Sequence, residues 1–207
     1  MGNNNNFSIS NRREFLGKAL SIGCLSCINP SFLCGTFSKS KVDKSEHKFK
    51  DDSKWSFEYA YKFAYANALM PNLKAIAEEI GKDQTIEILK KSAEERAIKD
   101  GENMAKETNN PSLDNYNGWA RNPDSFWQHV VTYSIVEDTP KAFEFKITEC
   151  LWAKTLREAK GEDFGYAIIC NPDFDHASGY SPQLKLTRTK TLMQGDDCCN
   201  HRYTWNE

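Results

Sequence analysis

The chain has 207 residues, and its 27 Lys and Arg are nearly matched by 29 Asp and Glu. The basic residues form no run or stripe, which argues against nucleic acid as a partner. What lies beyond the first forty residues is enough for one domain with a core of its own.

The N-terminus reads as a targeting segment. Asn11-Arg12-Arg13-Glu14-Phe15-Leu16-Gly17-Lys18 is followed by an uncharged run from Ala19 to Phe37. A charged region, an apolar region and a cleavage zone, in that order around an Arg pair, mark a twin-arginine export signal. Asn29, Pro30 and several serines interrupt the run, and it falls short of the ~20 apolar residues of a membrane-spanning helix. Residues 1–40 are therefore expected to be the signal peptide, and 41–53 a solvated linker rich in Lys, Ser and Asp. Residues 54–207 are expected to form the working domain, acting outside the cytoplasm, periplasmic or held on the outer side of the membrane.

Two cleavage readings stand. Ser21-Ile22-Gly23-Cys24 resembles a lipoprotein box with Ser where Leu is usual, which would place a lipid on Cys24. Thr36-Phe37-Ser38 would serve an ordinary signal peptidase. This export route carries folded cargo and permits a cofactor without requiring one, and none is assigned. Without Cys24, Cys27 and Cys34 the domain retains Cys150, Cys170, Cys198 and Cys199. Adjacent Cys198 and Cys199 point to opposite faces of a strand, so one disulfide or none fits better than two.

Trp55 to Ile80 reads as helical, with Pro71 marking a break or kink after Met70. Its aromatics, with Trp119, Phe126 and Trp127, are assigned mainly to the core. A second helix opens at Asp83 or Gln84, exposes a Glu/Lys-rich face, and ends at Gly101 and Asn109-Asn110-Pro111. Residues 115–122 read as a loop, and Asn122-Pro123-Asp124 as a helix start. The runs 130–136 and 142–148 are β-rich and joined by a hairpin signal at 137–140. Residues 150–159 and 164–170 are short helices. Residues 183–193 and 199–205 form a second strand pair around Gln194-Gly195-Asp196-Asp197, where Gly supplies a positive φ. The expected fold is α+β, with N-terminal helices packed on an antiparallel sheet of about four strands and two inserted helices.

The chemistry-bearing residues gather late in the chain. Cys170 and Asp173 stand three apart, one helical turn, with His176 three further on. That spacing lets a carboxylate orient an imidazole, and the imidazole lower a thiol's pKa. Cys199, His201, Tyr203 and Trp205 share one strand face, which puts a second Cys/His pair roughly 7 Å apart. Two other readings compete. Asp173, Asp175 and His176 are equally suited to capping a turn, and Cys170, Cys199, His176 and Asp173 are a weak zinc set lacking a Cys-x-x-Cys knuckle.

Cys170-x-x-Asp173, Pro182-x-Leu184, Arg188-Thr189-x-Thr191-Leu192, Gly195-x-x-x-Cys199 and Arg202-Tyr203 together resemble the end of the L-2-amino-thiazoline-4-carboxylate hydrolase family. Thr148-Glu149-Cys150 is similar to that family's pattern too. The resemblance is specific over roughly residues 148–205. It departs at Cys199-Asn200-His201, where the family tends to have Cys-Asp-Phe. A more distant resemblance leads to small-molecule-binding α+β domains related to vinyl-reductase-type sensors.

The resemblance implies a hydrolase that opens a small ring at its amidine carbon, which needs a nucleophile, a proton donor for the leaving atom and a cation for the carboxylate. Under it Cys170 or Cys199 attacks or positions water, His176 is the acid/base and Asp173 orients it. Arg188 takes the carboxylate bidentately, with Thr191 and His201 as further substrate contacts. The partner is a small molecule, and no metal is assigned. The alternative is a non-catalytic binding or sensory domain with structural or metal-binding cysteines.

Overall fold

The computed structural model describes residues 54–108 and 110–206. The expected signal peptide, Cys24 and the linker lie outside the described residues.

Ser56 starts the first helix by accepting a hydrogen bond from the Tyr59 amide at 3.1 Å, the usual way an N-cap satisfies an orphan N–H. Helix α1 (Phe57–Tyr61) continues through a π-helical segment, Lys62–Leu69, into α2 (Met70–Ile80). The break expected at Pro71 is absent. Proline has no N–H and its ring presses on the carbonyl four residues back. The turn before it widens instead, with the Met70 amide bonding Tyr65 O.

Gly81, at φ 92°, separates α2 from α3 (Lys82–Glu107). This helix runs straight through Gly101, which the sequence reads as its end. Gly101 is buried within the helix because another helix crosses there. The aromatic residues also depart from expectation. Tyr61 is buried, but Phe57, Tyr59, Phe63, Phe126 and Trp127 are 40–62% exposed, since α1 packs inward on the Tyr61 side only.

Residues read as a loop and a helix start form α4 (Leu113–Tyr116) and two 3-10 turns, Gly118–Arg121 and Phe126–His129. Strands β1 (Val131–Asp138) and β2 (Ala142–Cys150) follow. Next come α5 (Leu151–Glu158) and α6 (Glu162–Gly165), which passes through a π segment, Tyr166–Cys170, into α7 (Pro172–Tyr180). The second π segment has the cause of the first. It ends before Pro172, the Asn171 amide bonds Tyr166 O at 2.8 Å, and the Ile168 carbonyl that Pro172 does not serve lies 3.5 Å from Arg96 Nη2.

Strands β3 (Leu184–Thr187) and β4 (Cys199–Trp205) complete an antiparallel sheet of order β1-β2-β4-β3. The fold is α+β, with helical segments inserted between β2 and β3. Strand β3 is shorter than the expected 183–193. Beyond Thr187 the amides of Thr189 and Lys190 turn to Asn200 Oδ1, at 3.0 and 2.7 Å, and that of Thr191 to Asp196 Oδ2 at 2.7 Å. The return is made at Gly195, whose φ of 102° is left-handed.

Alternation along the strands decides which face is covered. Phe143 and Phe145 of β2 lie opposite Tyr203 and His201 of β4, all buried. With Leu184 and Leu186 they form the surface on which Ala177 and Tyr180 of α7 and Tyr116 of α4 pack. The other face is wetter, with Arg202 bonded to Glu137 and close to Glu144. Helix α3 crosses α7 with Gly101 against His176 and Tyr180, and Gly179 against Ile98. The helices thereby hold Cys170 and Asp173 over the buried end of β4.

Candidate functional site

The centre of the constellation is Arg188. It leaves the end of β3 pointing inward, and its side chain is only 3% exposed. Its Nη1 donates to Asp173 Oδ2 at 2.6 Å and lies 3.0 Å from His201 Nε2, while Nη2 donates to the Cys170 carbonyl at 2.8 Å. The Phe174 ring lies under the guanidinium, 5.0 Å from centroid to carbon. Burial works against charge on Arg188, yet the Asp173 carboxylate and neighbouring groups outweigh it and its pKa ends raised. A planar fork reaching three acceptors is a task Lys does not perform.

His201 is the second buried member. It stacks on Phe145 with centroids 4.9 Å apart and planes 8° from parallel, and its Nε2 is 3.4 Å from Asp173 Oδ2. Because Arg188 has only donors, Nε2 accepts from it, and a neutral ring then carries its proton on Nδ1. That Nδ1 is buried without a partner among the described residues. The Asn200 side chain holds the 189–190 loop by accepting from the Thr189 and Lys190 amides, and the His201 imidazole joins the Arg188 cluster.

The thiols converge on this cluster. Cys170 Sγ accepts from Thr191 Oγ1 at 3.8 Å, and Cys199 Sγ from the Leu192 amide at 3.2 Å. Burial, helped by Asp173 and opposed by Arg188, pushes the Cys170 thiol up to about 12. Burial also raises Cys199, against the pull of the Leu192 amide. Cys150 is pushed up to about 11 by burial, with the Ala153 and Trp152 amides working the other way. All four described cysteines are free. With Cys150, Cys170 and Cys199 all raised, a nucleophilic role for any of them requires proton removal as the reaction proceeds. Among the described residues no three His, Cys, Asp or Glu side chains converge as metal ligands.

Three expected assignments are corrected. His176 is not oriented by Asp173, because the next helical turn swings it away to Tyr116, whose hydroxyl is 2.9 Å from His176 Nδ1. Arg188 is not open to a substrate carboxylate, since its side chain is only 3% exposed and both Nη atoms already bond Asp173, His201 and the Cys170 carbonyl. Thr191 is buried and braces the loop, giving its hydroxyl to Cys170 and accepting from the Met193 amide at 3.2 Å. Within the Asp173–Arg188–His201 cluster Asp173, with a 38% exposed side chain, is the member that reaches solvent.

His176 carries a pH consequence. Burial lowers its pKa, opposed by Asp173 and Asp100. The unfolded chain therefore binds the proton more readily, and stability present above about pH 6.5 falls as the pH drops toward the folded-state value. The expected result is a thermal midpoint that declines from pH 7.5 to pH 5 in the parent protein and declines less in His176→Gln. Parallel curves would count against a lowered pKa at His176.

Cys150 carries no role in the expected site. It lines an open cleft of about 820 Å³ with Thr132, Glu149, Lys154, Arg157 and Leu192 among others. The signal was present in Thr148-Glu149-Cys150, but no spacing tied that triplet to a second reactive group.

A family model described as L-2-amino-thiazoline-4-carboxylic acid hydrolase matches residues 61–203. The chain belongs to this family. Membership in the L-2-amino-thiazoline-4-carboxylic acid hydrolase family covers α2 to β4 and so takes in the whole Arg188 cluster and the cleft. No curated protein matches the chain. Among solved structures, the phenol-responsive sensory domain of the transcription activator PoxR with phenol is similar at 14% identity and a TM-score of 0.43. That match covers 68% of this chain and 74% of the other. A trafficking protein particle complex subunit 3 from Naegleria fowleri, covalently bound to palmitic acid, is similar at 9% identity and a TM-score of 0.41. It covers 72% of this chain and 96% of that one.

Proposed function

We propose that this protein is an exported hydrolase that opens a small, amino-acid-like ring, of the 2-amino-thiazoline-4-carboxylate type, at its amidine carbon. The observation that carries the reading is the family match over residues 61–203. The site is compatible in chemistry. Thiols converge beside a carboxylate held by a buried guanidinium and a histidine, which are the groups needed to supply a nucleophile and move a proton. The Asp173–Arg188–His201 cluster is assigned to positioning, because the buried Arg188 ties the Asp173 carboxylate, the Cys170 carbonyl and His201 Nε2 together. Export is read from the Arg12-Arg13 segment, which would put the enzyme on the outer side of the membrane, soluble or held by a lipid on Cys24.

The test is ring opening of 2-amino-thiazoline-4-carboxylate, followed as loss of substrate absorbance, in Cys150→Ser, Cys170→Ser and Cys199→Ser. A thiol that attacks the ring is expected to lower kcat on the order of a thousandfold when replaced. Full activity in all three variants removes the thiol mechanism. A second reading, a non-catalytic small-molecule-binding domain, is favoured by the raised thiol pKa values of Cys170 and Cys150. It predicts saturable binding with no turnover in the parent protein.

A further inference from the structure

Cys150 ends β2 and is at the same time the N-cap of α5. Cys150, Ala153, Lys154 and Arg157 follow the spacing i, i+3, i+4, i+7, so they share one face of the helix, and all four line the cleft. The thiol therefore sits at the N-terminal end of α5, where burial raises its pKa and the Ala153 and Trp152 amides oppose that rise. Cys170 and Cys199 are not among the lining residues. Their sulfurs are engaged by Thr191 and Leu192, and Leu192 is itself a wall of the cleft, so the Arg188 cluster stands behind that wall.

We propose that this cleft is where the substrate binds, and that Cys150 is the thiol presented to the bound ring. The proposal rests on the hydrolase reading for the identity of the ligand. The lining is mixed in charge, with Lys154 and Arg157 against Glu149, Glu158 and Glu162, which suits a small molecule carrying both a carboxylate and a cationic amidine. Lys154 stands one turn beyond Cys150, a rise of about 6 Å, within the span of such a ligand. Its ammonium is 3.0 Å from Glu58 Oε1, with a 49% exposed side chain, and a solvent-exposed pair of this kind yields to a competing carboxylate. Arg157 is fixed at the far end by donating to the Leu192 carbonyl at 3.1 Å.

The test is iodoacetamide labelling of the full chain with peptide mass mapping, in the absence and presence of 2-amino-thiazoline-4-carboxylate. Among Cys150, Cys170, Cys198 and Cys199, Cys150 is expected to be modified first because it lines the open cleft, and saturating ligand to slow its labelling about tenfold or more. Lys154→Met should weaken that protection, and 2-aminothiazoline, which lacks the carboxylate, should protect poorly. First modification at Cys170 or Cys199 overturns the proposal, as does ring opening with no protection of Cys150. Protection at Cys150 without ring opening upholds the cleft and overturns the hydrolase reading instead.

Discussion

Gly179→Ala is expected to destabilise the domain by about 2 kcal/mol or more, and Gly101→Ala by a similar amount. A Cβ at residue 179 would lie 2.3 Å from the Ile98 carbonyl oxygen and 2.8 Å from Ile98 Cα. At residue 101 it would lie 2.3 Å from the His176 carbonyl oxygen and 2.7 Å from the Tyr180 amide nitrogen. These are backbone atoms, which no rotamer change moves, so α3 and α7 must separate along their crossing. Two effects oppose. Alanine improves helix propensity by about 1 kcal/mol over glycine, while overpacking a tight contact costs roughly 1–3 kcal/mol and occasionally more. The clash wins here, because separating the helices also loosens Ala177 and Tyr180 from the sheet. Gly118→Ala is the control, with nothing within 4 Å of the added carbon, and is expected to stay within about 0.5 kcal/mol. Urea midpoints at constant m-value measure all three. The double variant Gly101→Ala/Gly179→Ala should cost less than the sum, since the first substitution has already parted the helices. Unchanged midpoints in both single variants would refute the close crossing.

The same glycines show where sequence reasoning ran out. Gly101 reads as a helix stop because glycine is a poor helix former, and its real use, letting a second backbone approach, depends on a residue some 75 positions away. Pro71 reads as a break or kink for an equally local reason. It is instead absorbed by a π segment just before it, and a second π segment carries the chain through Pro172 into α7. The strands were more legible. A period of two along 143–147 and 199–203 assigns the buried face by residue type alone, and the observed register sets Phe145 against His201 and Phe143 against Tyr203.

Within the site, spacing placed Cys170 and Asp173 on adjacent turns but did not say which way the carboxylate turns. It faces Arg188 and His201, across to β3 and β4, and His176 faces Tyr116. Helical periodicity ranks neighbours on one element, whereas these partners come from elements that only the tertiary fold brings together. Cys150 was hidden for the same reason, since its cleft is built from β1, β2, α5 and the 192 turn together.

Arg188→Met is expected to be among the most destabilising single changes, costing about 3–5 kcal/mol, the range for removing one partner of a buried ion pair. Methionine keeps the length and the contact with Phe174 but leaves Asp173 Oδ2, the Cys170 carbonyl and His201 Nε2 without the donor they share. Arg188→Lys should recover only part of the loss, because one ammonium does not reach three acceptors spread over two guanidinium nitrogens. Asp173→Asn is expected to cost less than Arg188→Met. It strands the guanidinium's charge, but the Asp173 side chain is 38% exposed, so water screens part of the change. The ordering Arg188→Met, then Arg188→Lys, then Asp173→Asn is read directly from urea midpoints. An Arg188→Met protein as stable as the parent would show that burying this cation contributes nothing net, the outcome expected if its desolvation penalty cancels the attraction of the three acceptors. The geometry argues otherwise. Every donor direction used by the fork ends on an acceptor within 3.0 Å, and the apolar replacement leaves those acceptors in place with nothing to bond.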